Sequence, residues 1–166
     1  MDWITGIQKA IDYIESHITE ELDYQEIAEN AFSSPWHFQR VFSILCGYTL
    51  GEYIRSRRLA LAGAELAADK IRVIDAAVKY GYDSPDSFTK AFTRFHGITP
   101  SAAREPGAKL CSFTRLGKIK NGREMGNRSV CGFPLSFPQL PQLLVGPDDS
   151  IPAAFLGVIQ HVIRNF

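Results

Sequence analysis

The sequence predicts an all-α fold in which one three-helix unit is used twice, the copies joined by a long helix. Three observations lead there. First, a stretch returns after fifty positions: Ser34-Pro35-Trp36-His37-Phe38-Gln39-Arg40-Val41-Phe42 matches Ser84-Pro85-Asp86-Ser87-Phe88-Thr89-Lys90-Ala91-Phe92. The register continues through Gly47/Gly97 and Thr49/Thr99, and reads upstream as Phe32/Tyr82 and Ala31/Gly81. A fixed-period repeat marks one supersecondary unit used more than once. Second, helix-capping signals recur at matched places. Third, apolar residues fall at helical spacing.

The elements follow in order. Ile4, Ile7, Ile11, Ile14 and Ile18 mark one face of a first helix, which Gly6 weakens only near its start. Asp23 to Glu26 reads as a capping box, with Leu22 and Ile27 placed as a hydrophobic staple. A short second helix is expected over 24–30, then a turn at Ala31-Phe32-Ser33. Ser34 is expected to cap a third helix with Pro35 in its first turn, where a missing N–H costs nothing. Phe38, Val41, Phe42 and Leu45 point inward, and Gly47 stops the helix. Thr49 and Glu52 form a second capping box and open a long helix over 50–68.

The second unit repeats the plan. A short helix is expected over 73–80, then the turn Gly81-Tyr82-Asp83. Ser84-Pro85 opens the next helix, with Phe88, Phe92 and Phe95 inward and Gly97 at its end. Thr99-Pro100 begins a last short helix. Gly81 suits a turn residue with positive φ, and Ala31 at the matched place predicts a differently shaped turn. Beyond residue 107 the character changes. Five of the nine prolines lie past residue 130, no clean period runs from 110 to 133, and only 153–163 is plausibly helical. The expected division is therefore 1–49, a linker helix over 50–69, 70–107, and an irregular tail over 108–166.

The 166 residues carry 18 Lys+Arg and 18 Asp+Glu, so net charge gives no hint of a nucleic-acid partner. Any such case rests on local placement. Cys46, Cys111 and Cys131 are odd in number and lack metal-ligand spacing, which predicts reduced thiols. The four histidines do not cluster, so neither a metal nor a cofactor is expected. The opening reads as an amphipathic helix rather than a signal peptide, and no apolar run is long enough to span a membrane. Together these predict a cytoplasmic protein. Paired carboxylates, a nucleophile–base arrangement and a phosphate loop are all missing, which argues against an enzyme.

A short helix, a tight turn and a helix opened by Ser-Pro form a helix-turn-helix pattern. The DNA major groove admits one helix, and the second helix of the pair enters it N-terminus first. The exposed positions of the first such helix are Trp36, His37, Gln39, Arg40 and Ser43, next to Ser34. Gln pairs with adenine and Arg with guanine or phosphate. Trp36 suits a thymine methyl or the sugar wall. The second helix offers Asp86, Ser87, Thr89, Lys90 and Thr93. Lys90, Thr89 and Arg94 are better suited to phosphates, which position without specifying. A nineteen-residue linker spans about 28 Å, against roughly 34 Å between successive major-groove segments. Because the two readers differ, the expected site is asymmetric double-stranded DNA.

The run from Ala76 through Gly81-Tyr82-Asp83-Ser84-Pro85 to Gly97-Ile98-Thr99-Pro100 resembles the AraC/XylS transcription regulators. So do Trp36-His37-Phe38-Gln39-Arg40 and Tyr53-Ile54-Arg55-Ser56-Arg57-Arg58-Leu59, and the likeness covers residues 4–107. It implies two homeodomain-like three-helix subdomains joined by a long helix, and promoter binding that activates transcription through RNA polymerase. It carries base-reading roles to Trp36, Gln39 and Arg40, and to Asp86, Ser87 and Lys90. Arg55 takes a supporting role at the start of the linker helix. Family members with the DNA-binding part first often carry an effector-binding domain afterwards, and Gly107-Ala108-Lys109-Leu110 resembles its entry. The tail then departs from that domain, which leaves no expected small-molecule effector and suggests a truncated or frame-shifted product.

The competing reading is a protein-interaction module that uses the basic linker, with Arg55, Arg57 and Arg58, to bind polymerase or another regulator. Those arginines could also pair with acids such as Glu52, and at most two are expected to touch a partner. The Phe38/Phe42/Phe88/Phe92/Phe95 stripe is expected in the core.

Overall fold

A computed structural model describes residues 3–116. Among these residues the protein consists of six α-helices and one 3-10 turn: α1 (Trp3–Ser16), α2 (Tyr24–Asn30), α3 (Pro35–Cys46), α4 (Leu50–Ala67), α5 (Val73–Lys79), α6 (Pro85–His96) and the turn Ala102–Arg104. The all-α expectation holds, and no described helix is long and apolar enough to cross a membrane. The reading of 153–163 as helical lies outside the described residues.

Two three-helix sets share one core. In the first, α1 packs on α2 and α2 on α3; in the second, α5 packs on α6, and both rest on α4. Ile7, Ile11 and Ile14 of α1 are fully buried, so the predicted isoleucine face is the packing face. The aromatic stripes are core as expected. Phe38 and Phe42 lie 5.7 Å apart, and Phe42 meets Tyr53 of α4 edge-on at 5.8 Å. Phe88 and Phe92 lie 5.5 Å apart in the matched place.

The caps divide into those that form and those that do not. Thr49 and Glu52 make the full reciprocal box that opens α4. Asp23 caps α2 by accepting from Gln25 N–H at 2.8 Å. Glu26 does not complete the box expected there, because its carboxylate accepts the Tyr13 hydroxyl instead. Ser84 accepts from Ser87 N–H at 3.2 Å, whereas Ser34, at the matched N-cap, makes no side-chain cap bond. Thr99 opens only a 3-10 turn over Ala102–Arg104 rather than an α-helix.

The fifty-residue register breaks upstream of Ser34 and Ser84. Phe32 N–H donates to Glu29 O and Ser33 N–H to Ala28 O; their counterparts are Gly81 N–H to Val78 O and Tyr82 N–H to Ala77 O. That offset is forty-nine. The second turn is one residue longer, so Phe32 is equivalent to Gly81 and Ala31 to Tyr80, both of the latter buried. Phe32 therefore takes φ 54° where Gly81 has φ 77°. A left-handed conformation costs a non-glycine residue roughly 1–2 kcal/mol, and the exposed Phe32 ring offsets part of it by lying 4.9 Å under the Lys9 ammonium.

Residues 108–116 form no helix or strand, as expected of the tail, but they strap back across the core. Phe113 and Leu116 are buried. Cys111 is disulfide-bonded, which corrects the expectation of reduced thiols at that position. Cys46 is a buried free thiol, pushed up to about 12 by burial and so held protonated.

Candidate nucleic-acid interface

The two candidate recognition helices are near copies. Each has twelve residues, starts at a Ser-Pro step and ends at a left-handed glycine, Gly47 or Gly97. Positions 36 and 40 of α3 and 86 and 90 of α6 are therefore the same four places. All four residues are exposed, and each pair sits one helical turn apart on one face.

On α3, Trp36 is 62% exposed, more than the helix's other exposed apolar group, Ile44, while Phe38, Val41 and Phe42 face inward. The Arg40 guanidinium lies over its ring, 5.6 Å from the centroid. An exposed cation–π contact is worth about 0.5–1 kcal/mol, enough to hold guanidinium and indole side by side as one surface. Gln39 is half-buried and folds back, its Nε2 donating to Pro35 O at 3.3 Å. Reading a base with this amide requires that bond to open. His37 is half-buried, and Ser34 is exposed with a hydroxyl that caps nothing.

On α6, Asp86 and Lys90 carry no ion pair among the described residues, while Arg94 stands exposed one turn beyond Lys90. Ser87 is committed to the helix start. Its N–H donates to Ser84 Oγ at 3.2 Å, and its hydroxyl donates to Ser84 O at 2.9 Å. That engagement leaves it less to offer a base than its sequence position implies. Thr89 is half-buried. The structure brings Arg55, Ser87, Lys90 and Arg94 to the walls of one cleft between α4 and α6. Tyr48, Tyr82 and Phe113 line the same cleft and were not singled out from sequence, because Phe113 arrives from the aperiodic strap.

The three linker arginines separate. Arg57 is buried against α1, with Nε and Nη2 each 2.8 Å from the two Glu15 oxygens and Nη1 donating to Phe113 O. Burial works against its charge, but the Glu15 hydrogen bonds and charge outweigh it and leave the guanidinium pKa raised. Its partner is thus Glu15, not Glu52. Arg58 donates to Ile18 O at 2.8 Å and Glu20 O at 2.6 Å, and burial holds its pKa below the ordinary value. Its Nη1 also abuts Gly81, where a Cβ would come within 2.9 Å. Arg58 therefore ties the α1–α2 connection, the linker and the second turn together. Only Arg55 of the three is exposed.

Residues 27–106 match the model of a helix-turn-helix domain family. The HTH-type transcriptional activator AarP of Providencia stuartii is 43% identical over 98 residues, which cover 59% of this chain and 73% of AarP. This chain belongs to the AraC/XylS family. Among other AraC/XylS relatives, the regulatory protein SoxS of Salmonella typhimurium is 40% identical over 98 residues, 59% of this chain and 92% of SoxS. The AraC/XylS fold is also that of the DNA-binding domain of AdpA, a global transcriptional factor solved in complex with a target DNA. That likeness has a TM-score of 0.55 and 25% identity, over 63% of this chain and 91% of the other. The chain is accordingly a helix-turn-helix DNA-binding transcription regulator.

Proposed function

We propose that the protein binds one face of double-stranded promoter DNA with α3 and α6 in successive major-groove segments, and that its site is asymmetric. The observation that carries this is the pair of exposed, superposable positions on two equal helices, filled by Trp36/Arg40 in one and Asp86/Lys90 in the other. Equal placement suits equal docking, and unequal chemistry suits unequal sequence. The eighteen residues of α4 span about 27 Å, and the diameters of the flanking helices extend that toward the roughly 34 Å of one DNA turn.

In this reading Trp36 and Arg40 do most of the base reading. Gln39 joins once its bond to Pro35 opens, and Ser34 and His37 contact the adjoining backbone. Lys90, Arg94 and Thr89 hold phosphates, with Arg55 beside them. Asp86 accepts from a cytosine amino group, and Ser87 supports the helix start. The protein is an activator in this proposal, as AarP is by name, and RNA polymerase is its partner. We also keep the division at residue 107 as a proposal, with 108–116 as a strap on the DNA-binding unit. The rival reading, a protein module built on a basic linker, is weakened because Arg57 and Arg58 are spent inside the fold.

The test is the salt dependence of binding to a random-sequence duplex and to a selected one. Lys90→Ala should weaken both alike and reduce the salt slope by about 1. Arg40→Ala should cost about 1–3 kcal/mol on the selected duplex and relax preference at one position. If Arg40→Ala lowers affinity for both duplexes equally, α3 is not the reader.

A further inference from the structure

We infer that Phe32 and Lys9 form a clamp on the DNA backbone beside α3, the Phe32 ring on a deoxyribose and the Lys9 ammonium on the adjoining phosphate. The inference rests on the DNA reading above and adds two residues to it.

Phe32 is 65% exposed, as open as Trp36, and its ring takes no part in the core. Its backbone holds φ 54°, in the left-handed region that bulky side chains rarely adopt. The equivalent residue of the second unit is Gly81, with φ 77°. No side chain fits there, because a Cβ would come within 2.9 Å of Arg58 Nη1. Glycine would serve the first turn without strain, yet an aromatic ring stands there and faces solvent. Core packing does not offset that strain, and strained residues concentrate where a protein acts.

Position and charge point to the DNA backbone. Phe32 stands two residues before Ser34, the N-cap of α3, and two residues reach at most about 7 Å. In the proposed pose α3 enters N-terminus first a major groove about 12 Å wide. A group that close to the helix start, and outside the helix, meets the groove wall of sugar and phosphate. Lys9 is the only Lys or Arg before Arg40, in a stretch with eight Asp and Glu. Its ammonium lies 4.9 Å from the Phe32 ring centroid and forms no ion pair among the described residues. The neighbouring acids are engaged elsewhere. Asp12 accepts from Gln8 Nε2 at 3.0 Å and pairs with Arg115, and Glu29 accepts from Gln25 Nε2 at 2.8 Å. Ring and cation thus stand side by side, and a sugar with its phosphate is the matching pair. Such a contact positions the first unit without specifying sequence.

The experiment measures anisotropy of labelled selected and random-sequence duplexes against the full chain carrying Phe32→Gly, Phe32→Tyr, Lys9→Gln or Arg40→Ala. Phe32→Gly should weaken both duplexes by the same factor, about three- to tenfold, with a urea midpoint equal to or above that of the wild type. Phe32→Tyr keeps the ring and should bind as the wild type does. Lys9→Gln should weaken both duplexes alike and lower the salt slope by about 1. Hydroxyl-radical footprints should show Phe32→Gly losing protection of sugars at one edge of the patch read by α3. A methylphosphonate at that edge should abolish the difference between the wild type and Lys9→Gln. Wild-type affinity in both Phe32→Gly and Lys9→Gln overturns the clamp and leaves Phe32 to a protein partner. A loss confined to the selected duplex, an unchanged salt slope, or a midpoint that falls with affinity also overturns it. If Arg40→Ala relaxes preference while Phe32→Gly and Lys9→Gln bind normally, the clamp fails and the DNA reading stands. If the wild type binds neither duplex, both fail.

Discussion

Glu15→Ala should destabilise the protein by about 3–4 kcal/mol, although the residue is not among the proposed DNA contacts. Its carboxylate takes two guanidinium bonds from Arg57, each at 2.8 Å, and one from the Tyr53 hydroxyl at 2.8 Å. The Arg57 and Glu15 side chains are only 11% and 13% exposed, so water replaces little of what is lost. Removing one partner of a buried ion pair costs about 3–5 kcal/mol, because the remaining charge is stranded. The residual exposure and the surviving Arg57 bond to Phe113 O place the expectation toward the lower end. The stranded Tyr53 hydroxyl, a further buried donor, keeps it from falling much below 3. Urea unfolding followed by helicity gives the free energy by linear extrapolation. The double variant Glu15→Leu/Arg57→Met removes both charges and should recover most of the loss, since apolar replacement of a buried pair is often neutral or better. A Glu15→Ala cost below about 1 kcal/mol, the range of exposed pairs, would refute the reasoning, as would a double variant no better than the single.

Two further predictions use the same assay. Ser84→Ala should cost about 1 kcal/mol, and Ser34→Ala less than half of that, because only Ser84 accepts an N-cap bond; equal costs would mean the caps are alike. His96 should make stability fall in acid. Its Nδ1 accepts the Cys111 N–H at 3.1 Å and its Nε2 faces Leu59 O at 3.0 Å, so the neutral ring is the one that fits. Burial lowers its pKa despite the Leu59 bond. The stabilisation is therefore complete above the unfolded value of about 6.5 and is lost as pH falls through the lower folded value. His96→Gln should flatten the urea midpoint against pH below that point; an unchanged profile would exclude His96 as its source.

Much of the fold is legible because its signals are local. The capping box at Thr49 and Glu52, the Ser-Pro steps and the stopping glycines Gly47 and Gly97 act within a few residues, and all stand where the pattern put them. The aromatic stripes of α3 and α6 are equally local. What escaped depends on contacts between distant residues. Glu15 reaches Arg57 across forty-two positions, and His96 joins Leu59 to Cys111. No period marks residues 108–116, because that strap is held by Arg57, His96 and Tyr53 rather than by its own ladder. The one-residue slip at the turn was hidden for a different reason. Phe32 and Tyr82 are both aromatic, and Ala31 and Gly81 are both small, so a false alignment looked as good as the true one. At the interface, sequence placed Trp36, Arg40, Asp86 and Lys90 on exposed faces, but it could not show Gln39 and Ser87 bonded to their own helix starts.

The measurement that bears most directly on the central claim is selection of a random duplex library on the full chain at physiological salt, followed by sequencing. Two unequal, information-rich patches about one helical turn apart are the expected result. A palindrome, a single patch, or no enrichment at all would contradict the account of two unlike helices reading one asymmetric site.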